Sequence, residues 1–255
     1  DLEALGQRGI AVCTVPDYGT TEVADHALAL MLALRRGLGL YHGTMRADPA
    51  GAWRYVENPC IDRLRGRVFG VVGLGRIGLA AARRAAGFDM EVAFYDPNLP
   101  DGVDLAAGFR RMACLTDLAE MADSLSVHAP LNATTAKVID QTVFQAMKPS
   151  AVLINTARGP IIDVDALYAA LRDNQIAGAG LDVWPVEPPA ADHPLLAAYG
   201  AGEAWLTGRF LLSPHAAFYS PPGLHDLRSK AVATAALRMR TGEARNCQNL
   251  AFLTG

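Results

Sequence analysis

Long hydrophobic runs, metal-ligand clusters and a marked excess of either charge are all missing from this sequence. Its most apolar stretch, residues 27–34, is closed by Arg35 and Arg36. That falls far short of the ~18 residues a membrane-spanning helix needs. No membrane partner is therefore expected, and no secretory signal is recognisable. A net charge of −3 leaves no electrostatic footprint for nucleic acid or an anionic surface. There are only four cysteines, Cys13, Cys60, Cys114 and Cys247, and no two lie at metal-ligand spacing. This excludes a zinc framework and gives no pattern for disulfide pairing. The four are read as reduced thiols of a cytoplasmic protein. Internal repeats and low-complexity tracts are absent as well.

What is present is a chain of 255 residues, 51% of them hydrophobic, enough for a sizeable core. It begins with Asp1 rather than Met and is read as either a processed chain or a piece of a longer protein. Short β-rich runs alternate with helical patterns, the rhythm of βαβ units and a mostly parallel sheet. Strands are expected at 10–15, 67–72, 91–95, 124–128, 151–155, 176–183 and 210–212. A long helix is expected at 21–38, too densely apolar for a surface position. Further helices are expected at 77–86, closed by Gly87, at 116–122, from Asp140 to Met147, after Asp163, and at 224–240. Asp140 and Asp163 supply N-cap oxygens. Residues 40–66 read as irregular, and 185–208 as a Pro- and Ala-rich loop with at most one helical turn. The fold class is α/β, a doubly wound parallel sheet. The domain reading is a remnant at 1–20, a dinucleotide-binding domain at 21–219, and a C-terminal helix at 220–255 returning to the remnant's domain.

Gly73-Leu74-Gly75-Arg76-Ile77-Gly78 fits G-x-G-x-x-G. Alone that pattern is weak. Here an apolar strand ending at Val72 precedes it, a helix follows, and Asp96 sits 18 residues past the third glycine at the end of the next strand. Gly73 permits the tight turn, Gly75 a close backbone approach to a pyrophosphate, and Gly78 close packing of the helix on the sheet. The helix start then offers N–H groups and a positive dipole end to phosphates. Asp96 would accept from ribose hydroxyls and repel a 2′-phosphate, favouring NAD over NADP. FAD or adenosyl-methionine binders use similar turns, so the turn alone does not fix the reaction.

Hydride transfer to or from an alcohol carbon also moves a proton, for which a histidine suits. A substrate carboxylate suits a forked guanidinium. A carboxylate beside the histidine would orient the ring and favour its protonated form. Arg158, Glu187 and His215 each follow a strand of the same domain, so all three should project from the carboxyl edge of the sheet. Each residue alone has a blander reading: a solvated arginine, a turn acid before Pro188 and Pro189, a satisfied histidine. Their joint order downstream of the glycine turn favours a site. The other histidines, including His26 and His128, take the bland reading.

Residues 154–159 (Ile-Asn-Thr-Ala-Arg-Gly), Leu181-Asp182-Val183 with Glu187-Pro188, and Ser213-Pro214-His215-Ala216-Ala217 resemble the three signature segments of the D-isomer-specific 2-hydroxyacid dehydrogenases. Phe94-Tyr95-Asp96-Pro97, His215 through Ser220 and Arg245-Asn246-Cys247 are most similar to the C-terminal-binding-protein branch, in which a tryptophan often stands at the place of Phe218. The resemblance implies an enzyme moving hydride between NAD(H) and a D-2-hydroxy acid or 2-keto acid. Arg158 would bind substrate, His215 would be the acid/base, Glu187 its partner, and Asp182 a contact to the carboxamide. Ala129, Pro130, Leu131, Asn132, Thr135, Thr156 and Ala157 would line the cofactor, with Arg158, His215, Ala217 and Phe218 beside it. The family also implies a homodimer and a second lobe largely preceding residue 1. On that basis the isolated chain should bind NAD but turn over poorly, and leave apolar faces of the 21–38 and 224–240 helices exposed. The alternatives are an NAD(H)-sensing corepressor-like binding protein and a cofactor-binding pseudoenzyme.

Overall fold

The structure is a computed structural model describing residues 1–190 and 192–253; Ala191 of the 185–208 loop and the last two residues lie outside it. Contacts divide the chain into two compact units, Asp1–Glu22 with Phe218–Gly255, and Val23–Ala217. Helices in chain order are α1 (Leu2–Gln7), α2 (Thr20–Arg35), α3 (Leu38–Ala47), α4 (Arg76–Ala86), α5 (Val103–Ala107), α6 (Leu115–Met121), α7 (Gln141–Ala146), α8 (Val164–Arg172), α9 (Pro194–Ala201) and α10 (Pro221–Thr241). Strands are β1 (Val68–Val72), β2 (Glu91–Tyr95), β3 (Arg110–Arg111), β4 (Ser124–Val127), β5 (Val152–Asn155), β6 (Gly178–Leu181) and β7 (Phe210–Leu212).

The seven strands form one sheet in the order β3-β2-β1-β4-β5-β6-β7. Every pairing is parallel. This is the doubly wound arrangement, whose chain order reverses between β1 and β4 and opens a crevice at the carboxyl ends there. Apolar clusters cover both faces, as a parallel sheet requires. One gathers α6, α7 and α8 over β4–β6, around Leu118, Phe144, Leu153 and Leu167. The other packs α2 and α4 on Phe69, Val71, Phe94 and Ile154. Asp140 and Asp163 cap α7 and α8 through their side chains.

From Val23 onward α2 buries Val23, Ala24, Ala27, Leu28, Leu30, Met31 and Leu34 in this core. Its apolar face is therefore covered, contrary to the sequence expectation, because the helix packs on the sheet itself. Arg35 at its end is also buried, and its guanidinium binds the carbonyls of Cys60, Ser150 and Asp123 and the Ser124 hydroxyl. α10 follows the expectation: Val232 and Met239 are 70% and 87% exposed.

Several boundaries differ from the sequence reading. Residues 10–15 form no strand, only an isolated antiparallel bridge at Cys13–Cys247. α3 occupies ground read as irregular, entered through Gly37 in the left-handed region at φ 63°. α9 runs eight residues inside the 185–208 loop, capped by His193 with Pro194 at its first position. α10 starts three residues early because Ser220 caps it and Pro221 fits its first turn. Gly87 closes α4 as expected but in right-handed geometry; the left-handed residue is Asp89. In the smaller unit, the buried Asn249 side chain ties Val12 N–H and the carbonyls of Leu2 and Ile10.

Candidate active site

β1 runs into the glycine turn directly. Val72 is buried, and its carbonyl accepts from His128 N at 2.8 Å. Gly73 has φ +90°, and a Cβ there would lie 2.8 Å from the Ala129 backbone. A Cβ on Gly78 would lie 2.1 Å from the Gly73 carbonyl oxygen. Both positions therefore need glycine if α4 is to sit down on the turn. Gly75 differs: a Cβ on it would meet nothing within 4 Å. The space above the α4 start is open, no side chain caps that helix, and Arg76 is exposed beside it. Uncapped N–H groups, a dipole end and a cation thus face a cradle suited to a diphosphate.

Asp96 directly follows β2 and binds the turn, its Oδ2 accepting from Leu74 N at 3.0 Å and its Oδ1 from Asn98 N at 3.0 Å. Each oxygen retains acceptor capacity for a hydroxyl. A cleft lined by Tyr95, Asp96, Pro97, Arg111, Met112 and Ala113 opens beside it. Across the crevice, Ala129 and Pro130 lead into a tight turn in which Asn132 accepts from Thr134 N and Thr135 N. The Thr135 hydroxyl donates to Pro130 O at 2.6 Å, and Leu131 is 41% exposed. The Thr156 hydroxyl after β5 is buried and has no hydrogen-bond partner among the described residues. A buried orphan hydroxyl is costly, and a ribose or amide of a bound dinucleotide would satisfy it. The open cradle and this orphan both fit a nicotinamide dinucleotide.

Arg158 follows β5 on a loop braced by Asn155, whose side chain accepts from Ala157 N and donates to Arg158 O. Its guanidinium is exposed and donates to Ala157 O at 2.7 Å. Gly159 is a site residue that sequence reasoning missed. A Cβ there would lie 2.0 Å from the Trp184 carbonyl carbon, so only glycine lets the Arg158 loop touch the loop carrying Glu187. Glu187 Oε1 accepts from Trp184 N at 2.8 Å, and Oε2 meets His215 Nδ1 at 2.6 Å. Burial pushes the Glu187 carboxyl up; the His215 hydrogen bond, the Trp184 N–H and the charges of His215 and Arg158 outweigh it, leaving it below its usual range. An ionised Glu187 accepts, which places a His215 ring proton on Nδ1.

His215 itself sits at φ +52°, a conformation that needs outside support. Asp182, 1% exposed, supplies it. Its Oδ1 accepts from Ser213 Oγ at 2.5 Å and Ala216 N at 3.0 Å, its Oδ2 from Ala217 N at 2.9 Å, and its carbonyl from His215 N at 2.7 Å. His26 on α2 joins at 2.8 Å to Ser213 Oγ. The Asp182 side chain is thus turned into the 213–217 loop. Phe218 belongs to the smaller unit, where its ring meets Tyr18 edge-on at 6.3 Å. His128 after β4 bonds Ser126 Oγ at 2.9 Å, its Nδ1 is buried without a partner among the described residues, and burial pushes its pKa down to about 4. Burial thus favours its neutral form.

Comparison with known proteins accords with this geometry. Residues 28–217 match the family described as D-isomer specific 2-hydroxyacid dehydrogenase, NAD binding domain. A glyoxylate reductase of Korarchaeum cryptofilum is 36% identical over 90% of this chain and 65% of its own length. A D-3-phosphoglycerate dehydrogenase of Methanocaldococcus jannaschii is 37% identical over 77% of this chain and 36% of its own. The chain thus spans less than two thirds of either. The solved NADPH-dependent glyoxylate/hydroxypyruvate reductase of Sinorhizobium meliloti, in complex with NADP and malonate, superposes with a TM-score of 0.83 at 34% identity, over 97% of this chain and 73% of that one. No helix among the described residues is long and apolar enough to cross a membrane. With its glycine turn, its parallel sheet and this match over residues 28–217, the chain belongs to the D-isomer specific 2-hydroxyacid dehydrogenase family and carries that family's NAD-binding domain.

Proposed function

We propose that this protein moves a hydride between NAD(H) and a D-2-hydroxy acid or its 2-keto acid. The observation that carries the reading is the 2.6 Å contact of Glu187 with His215 Nδ1. It lies at the carboxyl edge of the sheet that also bears the glycine turn. Bound cofactor supplies or accepts the hydride at the substrate's C2. Arg158 holds the substrate carboxylate and carbonyl oxygen through its forked donors. In reduction, His215 Nε2–H gives its proton to the carbonyl oxygen as the hydride arrives. In oxidation, the neutral ring takes the hydroxyl proton back. Glu187 fixes the ring and its tautomer. Asp182, Ser213 and His26 position the loop that carries His215.

NAD rather than NADP is supported by Asp96, whose carboxylate would repel a 2′-phosphate. The cytoplasmic reading rests on four cysteines whose spacing carries no disulfide pattern. Self-association is supported by Trp53 and Tyr55, 81% and 82% exposed; Trp53→Ser should move the sedimentation coefficient toward that of a monomer. The direct test is a single-turnover assay with the chain in excess over NADH and a panel of small 2-keto acids. Consumption of NADH with one of them, abolished in His215→Gln, supports the proposal. Consumption of NADH undiminished in His215→Gln counts against it.

A further inference from the structure

We propose that Cys13 and Cys247 are a redox-active pair that closes to a disulfide, joining the two ends of the smaller unit. The bridge between these residues is antiparallel. It is flanked by Thr14 N donating to Asn246 O at 3.2 Å and Gln248 N donating to Val12 O at 2.8 Å. Bonds one residue to either side make Cys13–Cys247 a non-hydrogen-bonded pair. In such pairs the facing Cα atoms stand about 4.5 Å apart and the side chains come closest. That spacing falls inside the range of roughly 4.4–6.8 Å that a disulfide spans.

The register is held firmly. Two residues past Cys247, buried Asn249 grips Val12 N–H and the carbonyls of Leu2 and Ile10, while its Oδ1 accepts from Cys247 Sγ at 3.2 Å. Both cysteines are free and half-buried. Burial, then the charge and hydrogen bonding of Cys247, push the Cys13 thiol up, with Arg238 opposing. Reaction therefore quickens as pH rises and thiolate forms. The other two cysteines have different surroundings. Cys60 is fully buried, its Sγ bonded to Ala177 O at 3.2 Å and its pKa pushed up to about 11. Cys114 caps α6 through its sulfur.

The reaction needs an oxidant, and a low-molecular-weight disulfide such as oxidised glutathione suffices. One protein thiolate attacks it, forms a mixed disulfide and expels one glutathione thiolate. The second protein thiolate then attacks the protein sulfur and expels the other. Two protein thiols become one disulfide, and the oxidant becomes two thiols. The bond closes a loop of roughly 230 residues, which removes much freedom from the unfolded chain.

The test is to titrate the reduced full chain with oxidised glutathione, cap free thiols, and map peptides by mass spectrometry. The expected product is a cross-linked peptide pair holding Cys13 and Cys247, about 2 Da lighter than its reduced parts and reversed by dithiothreitol. A higher Tm should accompany it. Cys13→Ser and Cys247→Ser should each abolish the cross-link and leave a stable glutathione adduct on the remaining member. Separate adducts on both cysteines of the wild-type chain without a cross-link would overturn the proposal. So would preferential pairing through Cys60 or Cys114, or no oxidation across the titration.

Discussion

Replacing Glu187 by Gln removes one charge and almost no volume, so its effect isolates what the carboxylate does to His215. Both carboxylate oxygens act as acceptors, Oε1 from Trp184 N at 2.8 Å and Oε2 at His215 Nδ1, 2.6 Å away. An amide has one acceptor and one donor end. If its oxygen stays on Trp184 N–H, its NH2 faces Nδ1 and forces the imidazole proton onto Nε2. That tautomer cannot take a hydroxyl proton at Nε2. If the amide flips, its NH2 opposes the Trp184 N–H and leaves a donor unsatisfied. Losing a hydrogen bond to a charged group costs about 1.5–3 kcal/mol. Wrong-tautomer substitutions of this kind lower kcat by up to ~10⁴. A fall in kcat of ~10²–10⁴, about 3–5 kcal/mol, is therefore expected, with NADH affinity unchanged. Imidazole ¹⁵N NMR should show the proton moving from Nδ1 to Nε2. A variant within threefold of wild type, or one keeping the Nδ1 proton with full activity, would refute the pairing argument.

Other outcomes follow from the same geometry. Asp96→Ala should weaken NADH binding by ~10-fold or more and narrow the preference over NADPH, both read by fluorescence titration, since Asp96 also ties Leu74 N in the turn. Gly159→Ala places a Cβ 2.0 Å from the Trp184 backbone, so chemical denaturation should show a loss of about 1–3 kcal/mol or more, with impaired turnover. Glu187 has a folded pKa below its unfolded value, so its stabilising contact is complete above about pH 4.3 and is lost only as pH falls through the lower folded value. Carboxyl NMR should find it still ionised where ordinary glutamates are half-protonated. His128 has its pKa depressed to about 4, so stability is full above its unfolded value of about 6.5 and declines as pH falls toward the folded one. His128→Asn should flatten that part of the pH–stability curve.

The sheet was legible because parallel strands buried on both faces announce themselves as short apolar runs between helices. The glycine turn was legible because strand, turn, helix and acid came in one order that few folds share. The region around α3 was not, since its sequence Leu38–Ala47 is glycine-rich and its start depends on Gly37 reaching a left-handed conformation that no local pattern signals. Residues 10–15 look like a strand by composition, yet their partner lies at Cys247 and pairs at a single bridge. The same long separation hid the facing cysteines.

At the candidate site, residue types single out Arg158, Glu187 and His215, but not the brace behind them. Gly159 after Arg158 is a visible signal whose meaning depends on a second loop passing within contact distance. Ser213 and His26 lie far apart in sequence yet bond each other directly at 2.8 Å beside Asp182. The sequence reading makes Asp182 a cofactor contact and does not show that its buried carboxylate also accepts from Ser213, Ala216 and Ala217. Such a role follows from the positive φ of His215, which a sequence does not display.

The most direct test of the account is isotope transfer. The chain is incubated in excess with NADH carrying deuterium at both nicotinamide C4 positions and each 2-keto acid, and the product acid is resolved by chiral chromatography with mass detection. The account predicts deuterium at C2 of the D-enantiomer only, and none with His215→Gln. Product lacking the label, L-product, or labelled product undiminished in the His215 variant would contradict it.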